Sequence, residues 1–192
     1  MLADYYVVDV ETANQARHSI CQIGIAAFRD GQMVDGWESL VDPRDFFASF
    51  NVQLHGIGPE QVYGAPCWSE VFPQVSALLG GAAVASHTDF DRAALVGASA
   101  RAGIPAVAYR KWIDTCWLAR RAWPGMMNHK LPTLARNFRI EYRAHDALED
   151  ARVAGEVLAL ALEVRQMTIH QLLATPQNHI TGFPTPAKGY AR

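Results

Sequence analysis

The stretch Tyr5-Tyr6-Val7-Val8-Asp9-Val10-Glu11-Thr12 limits what this chain can fold into more than any other. Its aromatic and β-branched residues read as a strand buried on both faces. Asp9 and Glu11 stand two apart at its carboxyl end, so they point to the same face. Side by side they repel, and burying them is costly unless a cation lies between them. Alone, an Asp-x-Glu pair is usually a solvated strand end. Whether this one is more depends on the other acids the chain brings to it.

The rest of the chain supplies a sheet and helices to gather them. Residues 20–28 read as a second strand, Asp30-Gly31 as a tight hairpin turn, and 33–41 as a third strand returning antiparallel. Residues 44–67 read as loop and short helix, with a helix start at Pro59. Apolar residues at 68, 71, 72, 75, 78 and 79 have a helical period, ended by Gly80-Gly81. Residues 82–85 fit a short buried parallel strand, followed by a helix over 92–102. A fifth strand is expected at 109–113. Helices are expected at 116–122, capped by Asp114 or Thr115, at 131–137, and from 147 to about 167. The fold class is α/β: a mixed five-stranded sheet, three strands as an antiparallel meander and the rest parallel, flanked by helices. One domain over 1–166 is expected, with 167–192 as an extension or tail.

Composition narrows the partners. The net charge of -2 over 192 residues excludes a basic protein that coats duplex DNA. The charge is uneven: residues 1–100 hold 12 acids and 4 bases, residues 101–165 hold 7 acids and 11 bases. That division suits an anionic ligand held through cations, and equally suits ordinary solvated charge. Cys21, Cys67 and Cys116 are far apart and form no C-x-x-C, which predicts free thiols in a reducing, cytoplasmic setting. The first strand begins close to Met1, leaving no room for a signal peptide, and no apolar run approaches the roughly 20 residues that span a bilayer.

Two further acidic elements bear on Asp9 and Glu11. Asp91 follows a short buried strand at a helix start, where α/β sheets present functional groups; a helix N-cap is the competing reading. In His145-Asp146-Ala147-Leu148-Glu149-Asp150-Ala151, Asp146 and Glu149 have capping-box spacing. With Asp146 as N-cap, His145 and Asp150 meet across the first turn. The alternative is two surface residues at a helix start. Taken together, Asp9, Glu11, Asp91 and Asp150 would need hard divalent cations, Mg²⁺ or Mn²⁺ rather than zinc, since no thiolate is offered. Two such ions about 4 Å apart serve in-line displacement at phosphorus. An imidazole such as His145 can take a proton from water near neutral pH.

These motifs resemble the DEDDh branch of the DnaQ-like 3′–5′ exonucleases, the family of the proofreading epsilon subunit of bacterial DNA polymerase III. The resemblance rests on Val8 to Thr12, on Ser86-His87-Thr88-Asp89-Phe90-Asp91 and on His145 to Ala151. Ile113-Asp114-Thr115, Trp123-Pro124-Gly125 and Leu131-Pro132-Thr133-Leu134-Ala135 also match, so that about residues 4–165 are covered. It implies an RNase H-like fold, Asp9, Glu11, Asp91 and Asp150 as ligands of two Mg²⁺ or Mn²⁺ ions, and His145 as general base. The sister branch carries a tyrosine four residues before the last acid; here that position is Asp146. By resemblance, Val10 and Thr12 contact the terminal nucleotide, and His55, His87, Thr88 and Phe90 line the substrate cleft. Ser86 and His87 stand where relatives often carry His and Asn.

The expected activity is hydrolysis of single-stranded DNA or RNA from the 3′ end to nucleoside 5′-monophosphates, with a polymerase subunit as a candidate partner. Two other classes are a module that binds nucleic acid or a polymerase without cutting, and a metal phosphoesterase acting on short oligonucleotides. The choice between DNA and RNA rests on one or two contacts that no motif fixes.

Overall fold

A computed structural model describes residues 3–175. Five strands, β1 (Tyr5–Thr12), β2 (Ile20–Arg29), β3 (Gln32–Leu40), β4 (Ala83–Ser86) and β5 (Lys111–Asp114), form one sheet in the order β3-β2-β1-β4-β5. β1, β2 and β3 pair antiparallel; β4 and β5 join in parallel. This is the mixed sheet that the order of elements predicts. The Asp30-Gly31 turn forms as read, both residues at positive φ (51° and 76°), the hairpin geometry that asparagine, aspartate and glycine permit.

Seven helices complete the described residues: α1 (Ser49–His55), α2 (Trp68–Leu79), α3 (Phe90–Arg101), α4 (Thr115–Ala122), α5 (Leu131–Phe138), α6 (Ala147–Val164) and α7 (Ile169–Ala174). The alternation of β1 divides the core. Tyr5 and Val7 pack with α4, α5 and α6, whereas Val8 and Val10 pack with α2 and α3. Asp9 and Glu11 therefore face the α6 layer.

Two readings of the sequence change. No helix starts at Pro59: residues 59–64 form turns, and the helix lies upstream as α1. Gly56, at a left-handed φ of 77°, ends α1, and Gly64, at 78°, closes the run of turns that follows. The last long helix stops at Val164, and α7 follows, opened by a capping box at Thr168. Leu172 of α7 is buried, and Lys111 Nζ donates to the carbonyls of Leu172 (2.8 Å), Leu173 (3.2 Å) and Thr175 (2.6 Å). A cation thus closes the carboxyl end of α7 on β5. Of the extension expected over 167–192, residues 176–192 lie outside the described residues.

One contact sets the distance between sheet and site. On β2, Gly24 pairs with Asp9 and Gln22 with Glu11. A Cβ on Gly24 would lie 2.3 Å from both the Ala147 carbonyl carbon and the Leu148 nitrogen. The first turn of α6 thus rests on bare β2 backbone, the use to which a strand glycine is suited. Gln22 Oε1 also accepts from the Ala147 N–H (3.3 Å). Further along α6, Gly155 gives the same clearance to the buried Phe28 ring, which is stacked on Tyr5. Gly24→Ala is expected to push α6 off the sheet, costing about 1–3 kcal/mol by overpacking; urea denaturation measures the loss, and an unchanged midpoint would contradict the contact.

Candidate active site

α6 delivers two site residues through its start. Asp146 caps it, its carboxylate accepting from the Glu149 N–H at 3.3 Å. The capping box is half made, because the Glu149 side chain turns to Arg152 instead. His145 and Asp150 meet across this turn as their spacing predicts: the His145 N–H donates to Asp150 Oδ2 at 3.3 Å. His145 takes a left-handed φ of 65°, strain that a non-glycine residue bears only where its neighbours fix it. Its Nδ1 lies 3.8 Å from Glu11 Oε1. Donor atoms of Glu11, His145 and Asp150 all fall within 4.8 Å of one another.

Asp91 comes from the opposite layer. It is not the cap of α3; Asp89 holds that place and gives its carboxylate to Arg92. Asp91 is 4 % exposed, and its Oδ1 accepts from the Val10 N–H at 3.1 Å. That amide is available because β4 pairs with β1 only at Tyr6 and Val7. Beyond Val7 the sheet opens, and the carboxyl end of β1 is exposed to α3 on one side and α6 on the other.

The carboxyls shift one another. Burial, then Asp150 and Asp91, pushes Glu11 up to about 8. Burial pushes Asp91 up to about 7, against the Val10 N–H that favours its anion. Asp9 is held well above its usual range by burial and by Asp91, Asp150 and Glu11, and burial raises Asp150. The Tyr142 hydroxyl lies beside the Asp150 carboxylate, yet the buried Oδ1 of Asp150 takes no hydrogen bond of normal geometry. An orphaned carboxylate oxygen among mutually repelling acids is a place a cation would satisfy, and an oxygen-rich set with one imidazole and no thiolate fits a hard divalent ion.

The expected substrate residues divide. Phe90 and Thr88 are exposed at the start of α3. Val10 is buried, and its N–H is spent on Asp91. The Thr12 carbonyl is held by α1, accepting from Asn51 Nδ2 (2.8 Å) and His55 Nε2 (3.1 Å). His55 Nδ1 accepts from the Ile57 N–H, so both its nitrogens serve the fold, and burial lowers its pKa. His87 is likewise engaged, Nδ1 with Thr115 Oγ1 (3.1 Å) and Nε2 with the His129 carbonyl (2.8 Å). Burial pushes it down to about 4, the state of a neutral structural imidazole. Gln22 and Gly24 also shape the site and escape a reading of the sequence, although a glycine inside an apolar strand marks a close approach.

The RNase_T exonuclease family model matches residues 6–158. The chain belongs to this exonuclease family. A DNA polymerase III of PolC type from Caldanaerobacter subterraneus is 29% identical over 167 residues, covering 85% of this chain and 12% of the relative. The PolC-type polymerase of Latilactobacillus sakei is 32% identical over 160 residues, covering 81% of this chain and 11% of the relative. The chain thus spans about an eighth of the length of the polymerases it matches. Among solved structures, Exonuclease X in complex with 5′ overhanging duplex DNA superposes with a TM-score of 0.70 at 23% identity, covering 88% of this chain and 97% of the other. The nuclease domain of 3′hExo, a DEDDh family member bound to rAMP, superposes with a TM-score of 0.71 at 18% identity, covering 83% and 91%. The sheet and its helices are therefore those of the RNase H-like exonucleases.

Raised carboxyl pKa values have a sign. Without cations the folded site keeps protons that the unfolded chain has released, so folding takes up protons and stability falls as pH rises through about 7 to 8. The melting temperature in EDTA should drop between about pH 5 and about pH 8, and Mn²⁺ should restore more at the upper pH. A flat profile, or an equal Mn²⁺ effect at both, would contradict the cluster.

Proposed function

We propose that this domain is a 3′–5′ exonuclease that removes nucleoside 5′-monophosphates from the end of a single strand, using two Mg²⁺ or Mn²⁺ ions and His145 as general base. The observation that carries this is the meeting of Glu11, His145 and Asp150 beside Asp9 and Asp91, with Asp150 Oδ1 left unpartnered. Asp9, Glu11, Asp91 and Asp150 would hold the ions. When bound, such ions neutralise the phosphate and make water a stronger nucleophile. The protein's own residues do the rest. His145 stands at the rim, 36 % exposed by its side chain, so its imidazole reaches both the acids and the entering strand. It takes the proton of the attacking water. Water adds to the terminal phosphorus, and the bond from phosphorus to the 3′ oxygen of the preceding nucleotide breaks. That oxygen stays on the shortened strand and takes a proton from solvent as its new 3′-hydroxyl.

The strand has a surface to lie on. α1 grips Thr12 with Asn51 and His55 but buries none of its residues, and Phe50, Leu54 and the nearby Phe46 are exposed. Apolar side chains beside a catalytic cleft support stacked bases of a single strand. The likeness to a segment of PolC-type polymerases supports DNA as the substrate and proofreading beside a polymerase as the setting.

Matched 3′-labelled DNA and RNA oligomers, incubated with Mg²⁺, Mn²⁺ or EDTA, test the activity. Asp9→Ala and Asp150→Ala are expected to abolish cleavage. His145→Ala should lower turnover about 10²–10⁴-fold, while Mn²⁺ still binds by calorimetry. Metal-dependent cleavage surviving in Asp150→Ala would overturn the assignment, and wild-type turnover in His145→Ala would remove the base.

A further inference from the structure

The substrate of the proposed reaction is a polyanion, and the site that would receive it is acidic. Residues 1–100 contain four bases, Arg17, Arg29, Arg44 and Arg92. Arg92 at the cleft is committed to Asp89 through two bonds of 2.5 and 2.9 Å. Arg17 is placed differently. It projects from the β1–β2 connection, a few residues after Glu11, and its guanidinium carbon lies 5.5 Å from the centroid of the Phe90 ring. Phe90 immediately precedes Asp91. Among the described residues no carboxylate or carbonyl bonds the N–H groups of Arg17.

The loop that carries Arg17 is fixed on both sides. Ala13 N–H donates to the Ser19 carbonyl (2.7 Å), Ser19 Oγ to the Ala16 carbonyl (2.7 Å), and Asn14 Nδ2 to the Phe46 carbonyl (2.8 Å). Asn14 Oδ1 accepts from Ala16 N–H at 2.9 Å. His18 packs against Gly97 of α3, and its Nε2 lies 3.3 Å from Asp45 Oδ2. With Ala16 and His18 both anchored, the direction in which Arg17 leaves the backbone is set. The ring then backs the guanidinium. Asp89, held below the usual carboxylate range first by its bond to Arg92, also feels the Arg17 charge, yet no hydrogen bond from Arg17 to it forms and the N–H edge stays open. A guanidinium backed by a ring, with free donors, matches two oxygens of a phosphate and loses little entropy on binding one.

We infer that Arg17, supported by the ring of Phe90, binds a backbone phosphate of the strand entering the cleft. This rests on the exonuclease reading but is separable from it. The cation offsets repulsion between strand and acidic site before the terminal nucleotide is seated.

Binding of a labelled single strand in Ca²⁺, followed by anisotropy over a salt series, and 3′ cleavage in Mg²⁺ together test it. R17A should weaken binding about tenfold, raise KM by a similar factor with kcat changed less than about twofold, and flatten the salt slope by about 0.7, the share of one phosphate contact on a single strand. R17K should keep most of the slope but recover only part of the affinity. F90L should weaken binding severalfold with the charge retained. If R17A binds as tightly as wild type with the same slope, or loses kcat at constant KM, the inference falls and the exonuclease reading stands. If the wild type binds through Arg17 yet never cuts, the exonuclease reading falls and the phosphate contact stands.

Discussion

Everything at the site depends on how closely the first turn of α6 lies on β2. The bare backbone at Gly24 allows that approach, and Gln22 completes it by accepting from Ala147 N–H. With α6 seated there, Asp150, one turn along the helix from its cap, comes close to Glu11, and His145 is held just outside the helix. The chain tolerates a left-handed backbone at His145 as a result. Acid repulsion alone would drive these groups apart; packing of Ala151 and Ala154 in the core, with Ala147 seated over Gly24, holds them together. Folding thus stores a cluster that favours protons or cations, and the raised pKa values of Glu11 and Asp91 are the sign of it.

Much of this is legible in the sequence because the relevant signals are local. The strand over 5–12 announces itself by its residues, the hairpin by Asp30-Gly31, and the start of α6 by Asp146 three residues before Glu149. The convergence of His145 and Asp150 follows from that cap. The parts that escape depend on distant partners. α1 has no capping side chain and no buried residue, so nothing in its own residues marks it. His87 sits inside a nucleic-acid motif, yet Thr115 and the His129 carbonyl take both its nitrogens. Neither partner is near it in the chain. The same is true of α7, whose docking relies on Lys111.

Relatives and geometry contribute different parts of the picture. The family match fixes what kind of domain this is. The residues determine how this chain carries out the role: histidines at 55 and 87 brace the fold, while exposed apolar side chains on α1 and an aromatic-backed arginine stand at the mouth. In the proposed reaction the acids provide the chemistry, and the surrounding groups govern how a strand approaches them.

The early end of the β1–β4 ladder has a consequence of its own. Val10 N–H has two suitors, a fourth strand that could zip further along β1 and the carboxylate of Asp91. Every residue added to that ladder would make a better sheet and a poorer enzyme. A family built this way is therefore expected to keep the parallel strand beside β1 short, and variants that lengthen it should gain rigidity while leaving the Asp91 carboxylate without its Val10 donor.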